Sequence, residues 1–129
     1  MIVLLDTSTA DCHLMIYDNH QKIIDDVWHA DRELAEKLIG YLEEQFSTIA
    51  KTWGDVTGIG FMKGPGSFTG LRIGASVCNA LAADQNIPIV GVGGDDWEIA
   101  ALTRLQASEN DEIVLPDYGR EARITTPRK

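Results

Sequence analysis

Positive charge is scarce in this chain of 129 residues, where eleven Lys and Arg stand against twenty Asp and Glu for a net charge of −9. The bases form no stripe, which argues against this chain alone gripping a phosphate backbone. Cysteine is nearly missing. Cys12 and Cys78 have neither CxxC spacing nor histidine neighbours, so a disulfide framework and the usual zinc patterns are excluded, and a cytoplasmic protein with free thiols is expected. No apolar run approaches the roughly 20 residues that span a bilayer, and no membrane association is expected. The start, Met-Ile-Val-Leu-Leu-Asp6, lacks a basic leader and reads as a strand.

Chemistry-bearing motifs are equally thin. His13, His20 and His29 show no metal-ligand spacing, and no nucleophile has a recognisable base and orienting group. Neither a metal nor a cofactor is expected. The hydrophobic fraction of 44% and mean hydropathy of −0.09 describe a single domain able to bury its own core.

Periodicity supplies the organisation. Ile2 to Asp6, Cys12 to Tyr17 and Ile23 to Trp28 are short strands joined by polar connections, an antiparallel meander with a tight turn at Asp18–Gln21. From Asp31 to about Ala50, Leu34, Leu38, Tyr41, Leu42, Phe46 and Ile49 recur at helical spacing. Gly40 sits mid-helix, where glycine costs about 0.5–1 kcal/mol, a cost easier to understand if another backbone approaches there. Thr57 to Met62 is a strand, Phe68 to Ala83 a helix, Ile89 to Val92 a strand, and Asp96 to Leu105 a helix with Asp95 as candidate N-cap. Alternating strands and helices imply that the first, fourth and fifth strands run parallel.

The run Lys63-Gly-Pro-Gly-Ser-Phe-Thr-Gly-Leu-Arg-Ile-Gly74 is the densest signal. Its turn residues Gly64, Pro65, Gly66 and Ser67 let a strand bend sharply into a helix. Such a turn either cradles a phosphate on free N–H groups or brings a helix close to something else. It lacks the Gly-Lys-Ser/Thr ending of a Walker loop and the dinucleotide fingerprint. Asp6, Thr7 and Thr9, just after the first strand, could meet a metal-bound phosphate, or Asp6 and Ser8 could hydrogen-bond the local backbone. The following helix has only Thr69, Arg72, Ser76 and Asn79 as polar side chains. Gly70, Gly74, Cys78 and Ala82 form a ridge of small residues able to take a second helix.

Asp6-Thr-Ser-Thr9, KGPGSFTGLRIG at 63–74, Ile87-Pro-Ile-Val-Gly-Val92 and Asp95-Asp-Trp-Glu-Ile-Ala100 together resemble the TsaB (YeaZ) family, a likeness running through most of residues 1–105. The resemblance implies an α/β, actin-like and ribonuclease-H-like domain with a five-stranded mixed sheet ordered 3-2-1-4-5. It implies a non-catalytic scaffold that binds a TsaD-like subunit, works with a TsaE-like ATPase, and supports threonylcarbamoyl transfer to adenosine 37 of tRNA, with tRNA touched only indirectly. A homodimer is the other implied state. The docking surface is then expected on Leu34, Leu38, Tyr41 and Leu42 of one helix and Gly70, Leu71, Arg72, Gly74 and Cys78 of the other, with Gly74→Leu abolishing pairing but sparing the fold. The rival expectation is a minimal phosphotransfer enzyme using Asp6, Thr7 and Thr9.

Family members carry a second domain after the third helix, whereas here residues 107–129 form a short tail after a domain of residues 1–106. Its Pro116-Asp-Tyr118-Gly-Arg120 is similar to the family's closing Pro-x-Tyr-x-Arg, which suggests loss of the second domain with the tail retained. Arg120 to Lys129 hold four of the eleven bases and read as a solvated terminus.

Overall fold

Three strands open the chain: β1 (Ile2–Asp6), β2 (Asp11–Asp18) and β3 (Gln21–His29). The structure, a computed structural model, describes residues 1–119. β1 pairs antiparallel with β2, Ile2 opposite Tyr17 and Asp6 opposite His13, and β2 pairs antiparallel with β3. Their hairpin turns through Asn19 and His20, both at positive φ (50° and 66°), the geometry that matches strand twist. A 3-10 turn at Asp31–Glu33 leads into α1 (Leu34–Thr48). After a second 3-10 turn come β4 (Gly58–Gly64), α2 (Phe68–Gln85), β5 (Ile89–Gly93) and α3 (Trp97–Gln106).

The sheet order is β3-β2-β1-β4-β5, with β4 parallel to both β1 and β5. This is the expected mixed sheet and the expected actin-like arrangement. β1 is apolar from Ile2 to Leu5 because both its faces are covered. Val3 and Leu5 join the cluster that holds α1 and α2, whereas Leu4 joins the one that holds Trp97 and Ala101 of α3. Asp95 does not cap α3. Asp96 occupies that position, and its side chain makes no capping bond.

Residues 107–119 do not hang free. Asn110 and Asp111 run along the outer side of β5: Ile89 N–H donates to Asn110 Oδ1 (3.1 Å), Asp111 N–H to Ile89 O (2.8 Å), and Gly91 N–H to Asp111 Oδ2 (2.8 Å). Val114, only 3% exposed, plugs into the main core. Asp117 N–H then donates to Lys63 O (2.7 Å), and Tyr118 stacks on Phe68 at 4.1 Å. The strap satisfies one sheet edge with side-chain amides and carboxylates, blunting a surface that would otherwise recruit another strand. Arg120 of the tail motif lies outside the described residues.

Asp111 also carries a pH prediction. The Arg104 guanidinium beside it holds its carboxyl below the usual carboxylate range, helped by the Gly91 N–H. A depressed folded pKa stabilises the fold above the unfolded value of about 3.9, and that stability drains away as pH falls through the folded value. Asp111→Asn is therefore expected to flatten the acid limb of stability, read as urea midpoints between about pH 5 and 2.

Candidate docking surface and glycine-rich turn

The sharp entry from β4 into α2 lies directly over the loop that ends β1. Ser67 N–H donates to Ser8 O (2.7 Å), and the Thr7 hydroxyl, fully buried, donates to Gly70 O (2.7 Å). Ser67 caps α2, its hydroxyl oxygen accepting from Gly70 N–H at 3.3 Å. Asp6 Oδ1 accepts from Ser8 N–H (2.8 Å), and Thr9 closes a small loop with the Asp11 backbone (3.1 Å). The carboxylate and hydroxyls in this turn are thus engaged by the chain itself. Asp6 holds the local backbone through Oδ1, and the Thr7 hydroxyl is buried against Gly70 O.

Glycine is required where these two loops touch. A Cβ on Gly66 would sit 2.5 Å from Ser8 Cβ. On Gly70 it would overlap Thr7 O, and on Gly74 both Thr7 Oγ1 and the Phe61 ring. The small-residue ridge therefore meets β1 and β4 of its own chain. At Gly70 and Gly74 the close approach is made within the chain, so Gly74 serves the fold, and the helix that α2 contacts is α1.

A similar correction applies to most of the expected docking residues. Leu34, Leu38, Tyr41, Leu42, Leu71 and Cys78 are all buried in the core between sheet and helices, as are Gly70 and Gly74. An amphipathic stripe needs cover, and here the sheet provides it. Arg72 alone of that set faces outward, its guanidinium carbon 5.9 Å from the Phe68 ring centre. Gly40 has nothing within 4 Å of where its Cβ would be, so among the described residues no backbone approaches it. Pro65, Gly66 and Ser67 are exposed, and Gly64 bends at φ +127° beside the Asp117 carbonyl. Burial pushes both Cys12 and Cys78 thiols up to about 12, which keeps them protonated and unreactive.

What remains outward on the two helices is a modest mixed surface. Ile39 on α1 is 49% exposed, and Arg72 is exposed on α2 beside the half-buried Ile73 and Val77. Among the described residues no group of three or more His, Cys, Asp or Glu could hold a metal ion, and no helix is long and apolar enough to cross a membrane.

Residues 28–115 match the family model described as TsaD: tRNA N6-adenosine threonylcarbamoyltransferase. The chain belongs to this family. Its curated relatives include the tRNA threonylcarbamoyladenosine biosynthesis protein TsaB of Haemophilus influenzae, 27% identical over 110 residues, covering 84% of this chain and 46% of that protein. TsaB of Escherichia coli is 28% identical over 129 residues, covering 93% of this chain and 55% of that protein. The chain spans about half the length of these relatives. A solved YeaZ from Pseudomonas aeruginosa superposes with a TM-score of 0.66 at 27% identity, covering 71% of this chain and 43% of that one. The TsaB (YeaZ) resemblance read from the motifs is therefore correct.

One part of this TsaB-type domain escaped sequence reasoning. Asn79 on α2 holds the strap at two points: its Nδ2 donates to Val114 O (2.9 Å) and its Oδ1 accepts from Val114 N–H (2.8 Å). The signal was present, since Asn79 is one of only four polar side chains between Phe68 and Ala83.

Proposed function

We propose that this chain acts in tRNA threonylcarbamoyladenosine biosynthesis as a non-catalytic subunit that docks a TsaD-like partner. The observation that carries the reading is the match to TsaB proteins along most of the chain. Two features support it. The turn after β1 spends its Asp6, Thr7 and Thr9 side chains on the chain's own backbone, leaving a poor cradle for nucleotide phosphates. Both thiols are buried and protonated, so neither supplies a nucleophile.

Docking falls to the outer faces of α1 and α2, around Ile39, Gly40 and Arg72, and not to the apolar residues beneath them. A buried aliphatic centre with a charged rim is the usual composition of such a contact. The test is to mix the chain with the TsaD-like subunit from the same genome and measure affinity by calorimetry. Ile39→Glu is expected to weaken binding at least tenfold, about 1.4 kcal/mol, without altering the melting temperature. Absence of any complex with the unaltered chain would overturn the reading.

A further inference from the structure

A concavity of about 680 Å³ lies on the β3 side of α1, bordering the proposed docking face at Gly40. Asp26 and Trp28 line it from the sheet face that meets α1, and Val27 and His29 from the strand's other side, so the hollow wraps the outer edge of β3. Its floor is firmly built. Trp28 and Tyr41 stack at 4.7 Å, and the Tyr41 hydroxyl donates to Asp26 Oδ2 at 2.5 Å. Gly40 leaves the middle open, since nothing lies within 4 Å of where its Cβ would be.

The two edges of the sheet differ. The strap bonds along β5, whereas β3 ends the sheet order with its outer backbone groups unpaired among the described residues. Edge strands are ordinarily guarded by proline, a bulge or outward lysine. Gln21–His29 has no proline, and its one lysine, Lys22, is pinned to Asp25 and Glu98, each at 3.1 Å. The register shift against β2 falls near its start, at Ile16 and Tyr17, and leaves residues 24–29 regular. Ile23 and Val27 stand 39% and 59% exposed along it. Such an edge is a template for an added strand.

Charge selects the occupant. Glu36 and Glu44 stand exposed on the α1 wall, and neither forms an ion pair among the described residues. The nearby cations are already engaged: Lys37 pairs with Glu33 at 3.0 Å and His29 with Asp11 at 2.6 Å. An acidic wall repels phosphates, which disfavours RNA and favours a cationic peptide. Spacing sharpens the match. Glu36, Gly40 and Glu44 follow one another every fourth residue, so the two carboxylates stand about 12 Å apart along the helix. Residues i and i+4 of an extended chain lie about 13 Å apart on one side. A strand on β3 can therefore present bases at i and i+4 to the two glutamates, and a bulky side chain at i+2 to Trp28 across the open Gly40.

We infer that this groove receives an extended, cationic segment of a partner protein, which pairs with β3 and sets bases four residues apart against Glu36 and Glu44. The surface is distinct from the α1–α2 face, and the inference stands whether or not a TsaD-like subunit docks there.

The probe is the peptide acetyl-TRVFVRT-amide, titrated into the full chain at low salt and read by amide and indole chemical shifts. Shifts are expected at Val27, His29, Gly40 and the Trp28 indole, and they should shrink in molar salt. The peptide with both arginines replaced by glutamate should bind at least about tenfold more weakly. Glu36→Lys with Glu44→Lys should invert that preference, and Ile39→Glu should leave it unchanged. Gly40→Leu fills open space, so it is expected to block the peptide without lowering the melting temperature. No shifts at millimolar peptide, shifts confined to other elements, or equal binding of the two peptides would overturn the inference. So would the same amides shifting with protein concentration alone, because a second copy would then occupy the edge, or moving more with oligouridine than with the peptide.

Discussion

Gly74→Leu is expected to prevent folding, and even Gly74→Ala should cost about 2–3 kcal/mol, read as a fall in the urea midpoint. A methyl at position 74 would enter space held by Thr7 Oγ1 and the Phe61 ring. Neither neighbour can retreat. Thr7 is fully buried and bonded to Gly70 O at 2.7 Å, and Phe61 has no exposed surface. A leucine adds three further carbons to the same overlap, which exceeds what a domain with about 5–15 kcal/mol of stability tolerates. Gly40→Ala is the matched control. It sits in a helix with open space around it and should stabilise by about 0.5–1 kcal/mol. If Gly74→Ala and Gly40→Ala shift the midpoint alike, the close packing of α2 on the β1 loop is not what holds this fold.

Asn79→Ala is expected to release the strap. It removes both partners of the Val114 peptide, leaving a half-buried N–H and C=O to find water, and should cost about 2–3 kcal/mol. The loss spreads beyond that pair. Val114 anchors the run between the β5 edge bonds at Asn110 and Asp111 and the Tyr118–Phe68 stack. Hydrogen exchange should therefore quicken at Ile89, Gly91, Val114 and Asp117 together, while β2 amides stay protected. Protection unchanged at Ile89 and Gly91 would mean that the strap stays in place without Asn79.

The sheet was legible in the chain because its signals are local. Continuous apolar runs at Ile2–Leu5 and Ile89–Val92 mark strands covered on both faces, and Ile23–Trp28 between polar connections marks the third strand, whose burial alternates only in the fold, with Ile24 buried and Val27 exposed. Helical spacing at Leu34, Leu38, Tyr41 and Leu42 named the buried face of α1 correctly. It did not say what buries it. Burial is non-directional, so a stripe that fits the chain's own sheet looks the same, residue by residue, as one that fits a partner. The reading of those residues as a docking surface failed for that reason. Gly40 shows a related limit: a glycine reports that a Cβ is absent, not whether anything has moved into its place.

The turn at Gly64–Ser67 was also recognisable, yet its use was not. Free N–H groups for a phosphate and close passage of another loop require the same residues in the same order. Only the position of Thr7 and Ser8 beneath Gly66, Gly70 and Gly74 separates the two outcomes. The strap was invisible because its bonds join residues far apart in the chain, Asn79 with Val114 and Ile89 with Asn110.

Local pattern by itself determined the strands, the helices, their order and the family likeness, since each depends on spacing within a few residues. The tertiary structure decided which way the glycine ridge faces, what covers the first two helices and how the β5 edge is closed. Those outcomes depend on which distant surfaces meet, and no short window of sequence contains both partners.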